Sequence, residues 1–198
     1  MGICINLSRY AGSDDATIRA QSPQMRSECV MDILLIRHAP AEDREQFAQT
    51  GKADELRPLT PRGIERMQLA ARGLMTLALP IERLITSPLV RAQQTAQILA
   101  PALEIRQFDT EAMLSAEVST ENLIDWLRKQ PRVDGLALIG HEPNLSHLAE
   151  TLLCGVATGT MPLKKGGAVL LRFADAVGAG QGQLIWALTP GILRALAD

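Results

Sequence analysis

The sequence predicts an α/β fold: a three-layer α/β/α sandwich with a mostly parallel central sheet. Short apolar runs of strand length alternate along the chain with longer segments in which apolar residues recur every three or four positions. Two of these longer segments follow a hydroxyl residue and a proline, Thr60-Pro61 and Ser87-Pro88, as N-capped helices often do. A glycine-rich turn, VGAGQG, separates the last two apolar runs, which predicts an antiparallel pair at one side of the sheet.

The strands are predicted from uninterrupted apolar runs, which are typical of strands buried on both faces. In chain order they cover residues 32–36 (DILLI), 83–86 (RLIT), 105–108, 136–139 (LALI), 168–173 and 183–188. The run at 105–108 is the least apolar of these.

Four helices are predicted between the strands, beginning after Thr60, after Ser87, near Thr120 and at Asn144. The first two carry apolar stripes at helical spacing, which are Ile64, Met67, Ala71, Leu74 and Ala78 in one and Leu89, Ala92, Ala96 and Leu99 in the other. We expect these stripes to face the sheet.

The chain of 198 residues is long enough to bury one sizeable core, and we expect a single domain over residues 31–198. Residues 1–30 are mixed and polar and show no periodic apolar face. We expect them to be a disordered N-terminal extension, or to precede a true start at Met31.

Composition excludes several classes of function. A formal net charge of -2 and 3% aromatic residues do not suit a basic or base-stacking nucleic-acid module. No apolar run approaches the roughly 18 residues of a membrane span. Cys4, Cys29 and Cys154 are widely scattered and include no C-x-x-C pair, which favours neither a disulfide scaffold nor a zinc site. We therefore expect a cytoplasmic protein that binds neither membranes nor nucleic acid.

Basic and imidazole side chains follow three of the predicted strands. Arg37-His38 follows the first, Arg91 lies shortly after the second, and His141 follows the LALI strand. Taken singly, each histidine would more often be a packing residue, and an arginine in a first helical turn is usually solvated. Because the carboxyl ends of parallel strands meet at one edge of a sheet, together they predict an anion site. The planar guanidinium group suits phosphate oxygens.

The strings LLIRHAPAE, RPLTPRG, ITSPLVRAQQTA and LIGHEPNLSHL together resemble the histidine phosphatase superfamily, also called phosphoglycerate mutase-like. Within it the sequence is most similar to the small SixA-type phosphohistidine phosphatases, from Met31 to the C-terminus. The resemblance implies the histidine phosphatase fold. One departure is Ala39, where the family usually has glycine after the R-H pair. An added methyl is tolerated at a negative φ and costly at a positive one.

Carried over residue by residue, the resemblance implies that His38 is the nucleophile and forms a phosphohistidine intermediate. It implies that Arg37, Arg91 and His141 bind the phosphoryl oxygens, and that Arg57 lies near the pocket as a further substrate contact. No metal or other cofactor is implied, because the arginines and the second histidine supply positive charge around a loose transition state.

The general acid is left open between two carboxylates. Larger members of the superfamily use a carboxylate after a middle strand, and Glu111 is the nearest positional match; Glu42, four residues after His38, is the other candidate. Either could instead be a solvated loop residue. A phosphohistidine substrate eases this requirement, because imidazole is a better leaving group than an alkoxide.

The expected substrate is phosphohistidine on a signalling or phosphotransfer protein, such as a histidine-containing phosphotransfer domain, with inorganic phosphate as product. About 50 residues separate His38 from Arg91, and about as many separate Arg91 from His141, which leaves little chain for a lid. We therefore expect an open site. Two alternatives are a small-molecule phosphomonoesterase of the same superfamily and a non-catalytic phosphate-binding module, the latter if Ala39 disturbs the backbone at His38.

Overall fold

The computed structural model describes residues 30–197, in which six strands form one mixed sheet. The strand order is β3-β2-β4-β1-β5-β6. The strands are β1 (Met31–Arg37), β2 (Arg83–Thr86), β3 (Asp109–Thr110), β4 (Gly135–Gly140), β5 (Ala168–Phe173) and β6 (Gln183–Leu188). Apart from Val30, the residues predicted to form a disordered extension lie outside the described part of the chain.

The sheet is parallel on one side and antiparallel on the other. β1 pairs with β4, β4 with β2, and β2 with β3, all in parallel. β5 runs antiparallel to β1, and β6 runs antiparallel to β5. The predicted α/β fold and the antiparallel pair at one side are confirmed. The sheet is mostly parallel in the sense that four of its six strands, β1 to β4, run parallel to one another.

Residues 30–197 contain six α-helices. They are α1 (Arg44–Ala48), α2 (Pro61–Met75), α3 (Val90–Ala102), α4 (Thr120–Arg128), α5 (Asn144–Cys154) and α6 (Pro190–Ala195). Five of them, α2 to α6, cover the two faces of the sheet. One buried apolar cluster joins the sheet to α2, α3 and α6, and a second joins the opposite face to α4 and α5. Alternate residues of β1 divide between them, with Leu34 and Ile36 in the first cluster and Ile33 and Leu35 in the second. This is the predicted three-layer sandwich.

The start of α2 matches its sequence signal. Thr60 is the N-cap, and its hydroxyl accepts a hydrogen bond from the backbone N–H of Gly63 at 2.9 Å. Gly63 also lies against the loop that follows His38, where a Cβ atom would collide with the carbonyl oxygen of Pro40. The glycine of RPLTPRG therefore lets α2 approach the backbone beside the predicted site.

Two local predictions are wrong. The strand predicted at residues 105–108 is a loop, and β3 lies just after it at Asp109–Thr110. Ile105 and Phe108 are apolar because they pack from this loop against the core, so they do not mark a strand.

Ser87 is not the N-cap of α3, since that helix begins at Val90 and Leu89 occupies the N-cap position without a side-chain hydrogen bond. The Ser87 hydroxyl contacts His141 instead.

Within residues 30–197, no helix combines the length and apolar character that crossing a membrane requires.

Candidate active site

A cavity of about 460 Å³ lies where the carboxyl ends of β1, β2 and β4 meet. Arg37 ends β1 and His38 follows it, His141 follows β4, and Arg91 lies in the first turn of α3 after β2. The lining residues are Arg37, His38, Ala41, Glu42, Asp43, Arg44, Arg57, Arg91, Ala116, His141, Glu142 and Lys165. The structure thus brings together all five side chains singled out as nucleophile or phosphate contacts. Glu42 lines the cavity as well, whereas Glu111 does not.

His38 is buried and held in one tautomer. Its Nδ1 atom lies 2.7 Å from the carbonyl oxygen of Ala39, and the residue is only 5% exposed. Because a carbonyl oxygen only accepts hydrogen bonds, Nδ1 carries the proton and Nε2 keeps its lone pair. Burial, together with the neighbouring His141, Arg91 and Arg37, lowers the pKa of His38 to about 3 against the opposing effect of the Ala39 carbonyl. The imidazole is therefore neutral at pH 7.

His141 faces His38 across the cavity. The two ring centroids are 5.0 Å apart, with the ring planes inclined at 53°. Its Nε2 atom lies 2.8 Å from the hydroxyl oxygen of Ser87, a pair that fixes the ring orientation. Burial, followed by the charges of Arg91 and Arg37, lowers the pKa of His141 to about 3. Both imidazoles are thus neutral polar groups surrounded by cations.

Asp54, in a short 3₁₀ helix (Asp54–Leu56), contacts three of the four arginines that line the cavity, and Arg37 is the exception. Its carboxylate accepts a hydrogen bond from Nε of Arg57 at 2.7 Å and lies 3.2 Å from Nη2 of Arg91. Its main-chain oxygen accepts another from Nη1 of Arg91 at 3.0 Å. The hydrogen bond from Arg57, with that from Arg44 and the charge of Arg91, holds the pKa of Asp54 well below its usual range. Asp54 is therefore ionised and keeps Arg57 and Arg91 side by side.

Two buried guanidinium donors have no acceptor among the described residues. These are the Nε atoms of Arg37 and Arg91. Arg37 is otherwise held by one hydrogen bond, from Nη1 to the carbonyl oxygen of Leu163 at 2.8 Å. A buried donor without an acceptor is costly, and an anion provides acceptors for several such donors at once. These donors are chemically suited to an oxyanion.

Ala39 is accommodated without strain. Among the described residues other than glycine, only Ala78 and Glu104 have positive φ, so Ala39 does not. Its backbone N–H donates to the hydroxyl oxygen of Thr95 at 3.0 Å, and its methyl group is fully buried in the core. The condition under which an alanine here would disturb the backbone at His38 is therefore not met.

Besides the exposed Asp43 and Arg44 of the rim, three further charged residues at the site were not predicted from the sequence. Asp54 lies in a stretch without periodicity, although its position three residues before Arg57 is the spacing of an ion pair. Glu142 lines the cavity beside His141, and its carboxylate accepts hydrogen bonds from the Ser146 backbone N–H and hydroxyl at 3.2 and 2.8 Å. Lys165 reaches the cavity from the loop before β5.

Among residues 30–197, no three His, Cys, Asp or Glu side chains come close enough together to hold a metal ion.

Comparison with known proteins gives consistent matches. The model of a family described as the histidine phosphatase superfamily (branch 1) matches residues 33–118. An uncharacterised protein of Picosynechococcus is 36% identical over 148 residues, which cover 74% of this chain and 87% of that protein. The phosphohistidine phosphatase SixA of Escherichia coli is 27% identical over 174 residues, covering 83% of this chain and 97% of that protein. The solved structure of the protein histidine phosphatase SixA complexed with tungstate matches with a TM-score of 0.67 at 24% identity, covering 82% and 99% of the two chains.

Proposed function

Because the chain belongs to the histidine phosphatase superfamily, we propose that it is a phosphatase that removes the phosphoryl group from phosphohistidine on a protein, with His38 as nucleophile. The proposed substrate is a signalling or phosphotransfer protein, and the products are the unmodified histidine and inorganic phosphate. Similarity to the phosphohistidine phosphatase SixA supports this choice of substrate. The scattered cysteines favour a reducing compartment such as the cytoplasm.

The observation that carries the proposal is the state of His38. A phosphoryl acceptor needs a free lone pair, and the Nδ1 contact with Ala39 leaves that lone pair on Nε2. The neighbouring cations and the burial that keep the ring neutral also keep it nucleophilic at physiological pH. Four arginines line the cavity around His38, which is not typical of a histidine that merely packs beside a strand.

In the proposed first step, Nε2 of His38 attacks phosphorus while the bond from phosphorus to the substrate imidazole nitrogen breaks. In the second step, water attacks the phosphorus of phospho-His38, the new P–N bond breaks, and phosphate leaves. Phosphoryl transfer depends mainly on positioning and charge stabilisation, which Arg37, Arg91 and His141 provide around the equatorial oxygens. Arg57, tied to Asp54 beside Arg91, adds positive charge to the same wall.

The substrate imidazole needs a proton as it leaves, and Glu42 is the remaining candidate of the two carboxylates considered for this role. It is exposed at the cavity, whereas Glu111 does not line it. Solvent also reaches this rim, because Glu42, Asp43 and Arg44 are all exposed. An imidazole leaving group is able to take its proton from water or from Glu42, so we assign no obligatory acid to the protein.

The test is an activity panel on proteins that carry phosphohistidine, phosphoserine or phosphoaspartate, with para-nitrophenyl phosphate as a small-molecule substrate. We expect the highest kcat/KM on phosphohistidine and no turnover by His38→Ala. His147→Ala is the matched control, because His147 lies on α5 away from the cavity lining and should remain active. Faster turnover of the small phosphomonoester than of phosphohistidine would favour the small-molecule phosphatase, and phosphate binding without turnover would favour a binding module.

A further inference from the structure

The segment between α5 and β5, residues 155–167, approaches the same edge of the sheet as His38, and we call it the α5–β5 loop. Because β5 runs antiparallel to β1, the amino end of β5 lies beside the carboxyl end of β1. Lys165, near the end of this loop, lines the cavity, whereas its neighbour Lys164 is exposed and is not part of the lining. The loop therefore supplies the cavity with a cation that does not come from a parallel strand end.

The first half of the α5–β5 loop is fastened to the buried carboxylate of Glu150 on α5. This carboxylate accepts hydrogen bonds from the backbone N–H groups of Thr158, Gly159 and Met161, the last two at 2.6 Å. Burial alone would raise the pKa of Glu150, but these hydrogen bonds outweigh it and hold the pKa at about 2. The carboxylate is thus ionised at neutral pH and orders the loop.

The second half of the loop is fastened to the residues of the site. The carbonyl oxygen of Leu163 accepts the hydrogen bond from Arg37, and the backbone N–H of Gly166 points to the carbonyl oxygens of Arg37 and His38 at 3.1 and 3.2 Å. Lys165 lies between these two anchors. Its backbone position relative to His38 is therefore fixed.

Lys165 differs from the arginines of the cavity in having no internal partner. Arg57 and Arg91 contact Asp54, and Arg37 donates to Leu163. The ammonium group of Lys165 makes no hydrogen bond or ion pair with any residue in the described range 30–197, and the residue is exposed at the rim. Burial lowers its pKa, and the charges of Arg37, Arg57 and Arg91 lower it further. This cation lies in an already cationic surrounding, which the charge of Asp43 opposes only in part and without an ion pair to Lys165.

We propose that Lys165 is a specificity residue that binds a carboxylate of the substrate next to the phosphorylated group, while the arginines hold the phosphoryl group itself. The inference rests on the proposed function, because it assumes that the phosphoryl group occupies the cavity beside His38. The preferred substrate is then a phosphohistidine with an acidic neighbour. A lysine suits this task, since its flexible stem and compact charge accept carboxylates in several geometries.

The first test compares two peptides of equal length in which phosphohistidine is flanked either by glutamates or by glutamines. The wild-type protein should show a higher kcat/KM for the acidic peptide by about five-fold, which is the scale of one solvent-exposed ion pair. Lys165→Gln should lose this preference. Lys164→Gln removes the same charge from the adjacent position and should keep the preference for the acidic peptide. Equal turnover of the two peptides by the wild type, or equal loss of preference in both variants, would overturn the proposal.

The second test does not depend on phosphohistidine turnover. It compares, by calorimetry, the binding of methylphosphonate with that of phosphonoacetate, which carries an additional carboxylate. We expect tighter binding of phosphonoacetate by the wild type and by Lys164→Gln, and no such difference in Lys165→Gln. If neither peptide is hydrolysed but this pattern is found, the proposed substrate is wrong and the role of Lys165 stands. If the peptides are hydrolysed and Lys165→Gln keeps both preferences, only the role of Lys165 fails.

Discussion

Replacement of Asp54 by asparagine should weaken both the fold and the site, because one carboxylate holds two buried arginines. Side chains of Arg57 and Arg91 are 9% and 5% exposed, and that of Asp54 is 33% exposed. A hydrogen bond to a charged group contributes about 1.5–3 kcal/mol, and partial exposure places each of these at or below the lower end. Since asparagine keeps one acceptor oxygen, we expect Asp54→Asn to cost about 2 kcal/mol, or about 4–8 °C in Tm. We also expect kcat/KM to fall about ten-fold or more as Arg57 and Arg91 lose their fixed positions.

The chain offers a matched control in the Asp125–Arg128 pair, which has the same spacing of three residues and a distance of 3.0 Å. These side chains are 62% and 52% exposed, so Asp125→Asn should cost at most about 0.5 kcal/mol. Thermal unfolding measured at several pH values distinguishes the effect of Asp54→Asn from that of Asp125→Asn. The pKa of Asp54 is lower in the folded protein than in the unfolded chain. Its contribution to the free energy of unfolding is therefore complete above about pH 4 and is lost as the pH falls further. The stability difference between wild type and Asp54→Asn should therefore narrow below pH 4. Equal Tm and activity for the two variants would refute the reasoning.

Three further predictions concern the cavity. Arg91→Lys should lower kcat by about 10²-fold or more, because an ammonium group does not reproduce two parallel guanidinium contacts. Near-normal steady-state kinetics of this variant would show that Arg91 does not bind the phosphoryl group. Ser87→Ala should lower kcat/KM about five-fold, the scale of one hydrogen bond, since it frees the His141 ring; an unchanged value would make this contact dispensable. With pKa values of about 3 when folded and about 6.5 when unfolded, His38 and His141 make stability fall as the pH drops below 6.5. Between pH 7 and 5, the free energy of unfolding measured with urea should fall less steeply for the double variant His38→Asn/His141→Asn than for the wild type. An unchanged slope would contradict this prediction.

The part of the site that could be predicted from the sequence is the part carried by parallel strands. Arg37, His38 and His141 lie directly after apolar runs that are easily recognised, and Arg91 follows a third. In a parallel sheet these positions converge whatever the details of packing, so their proximity follows from the order of elements alone. The strings around them also carry the family resemblance.

The remaining residues depend on tertiary contacts that no local pattern encodes. Asp54 lies in a 3₁₀ helix within an aperiodic stretch; Arg57 directly follows that helix, but the partners Arg44 and Arg91 come from α1 and α3. Ser87 has the sequence signal of a helix cap, but the approach of His141 gives its hydroxyl another partner. Lys165 precedes a strand, and it reaches the site only because β5 runs antiparallel to β1. The antiparallel pair was predicted, but its place next to β1 was not.

The measurement that tests the central claim most directly is identification of the phosphorylated residue in enzyme quenched during turnover. We predict a label that is stable to alkali and labile to acid, as expected for a phosphorus–nitrogen bond, and that maps by peptide mass spectrometry to His38. His38→Ala should carry no label, whereas His147→Ala should be labelled like the wild type. A label that survives acid, or one that maps to a residue other than His38, would contradict the proposed mechanism.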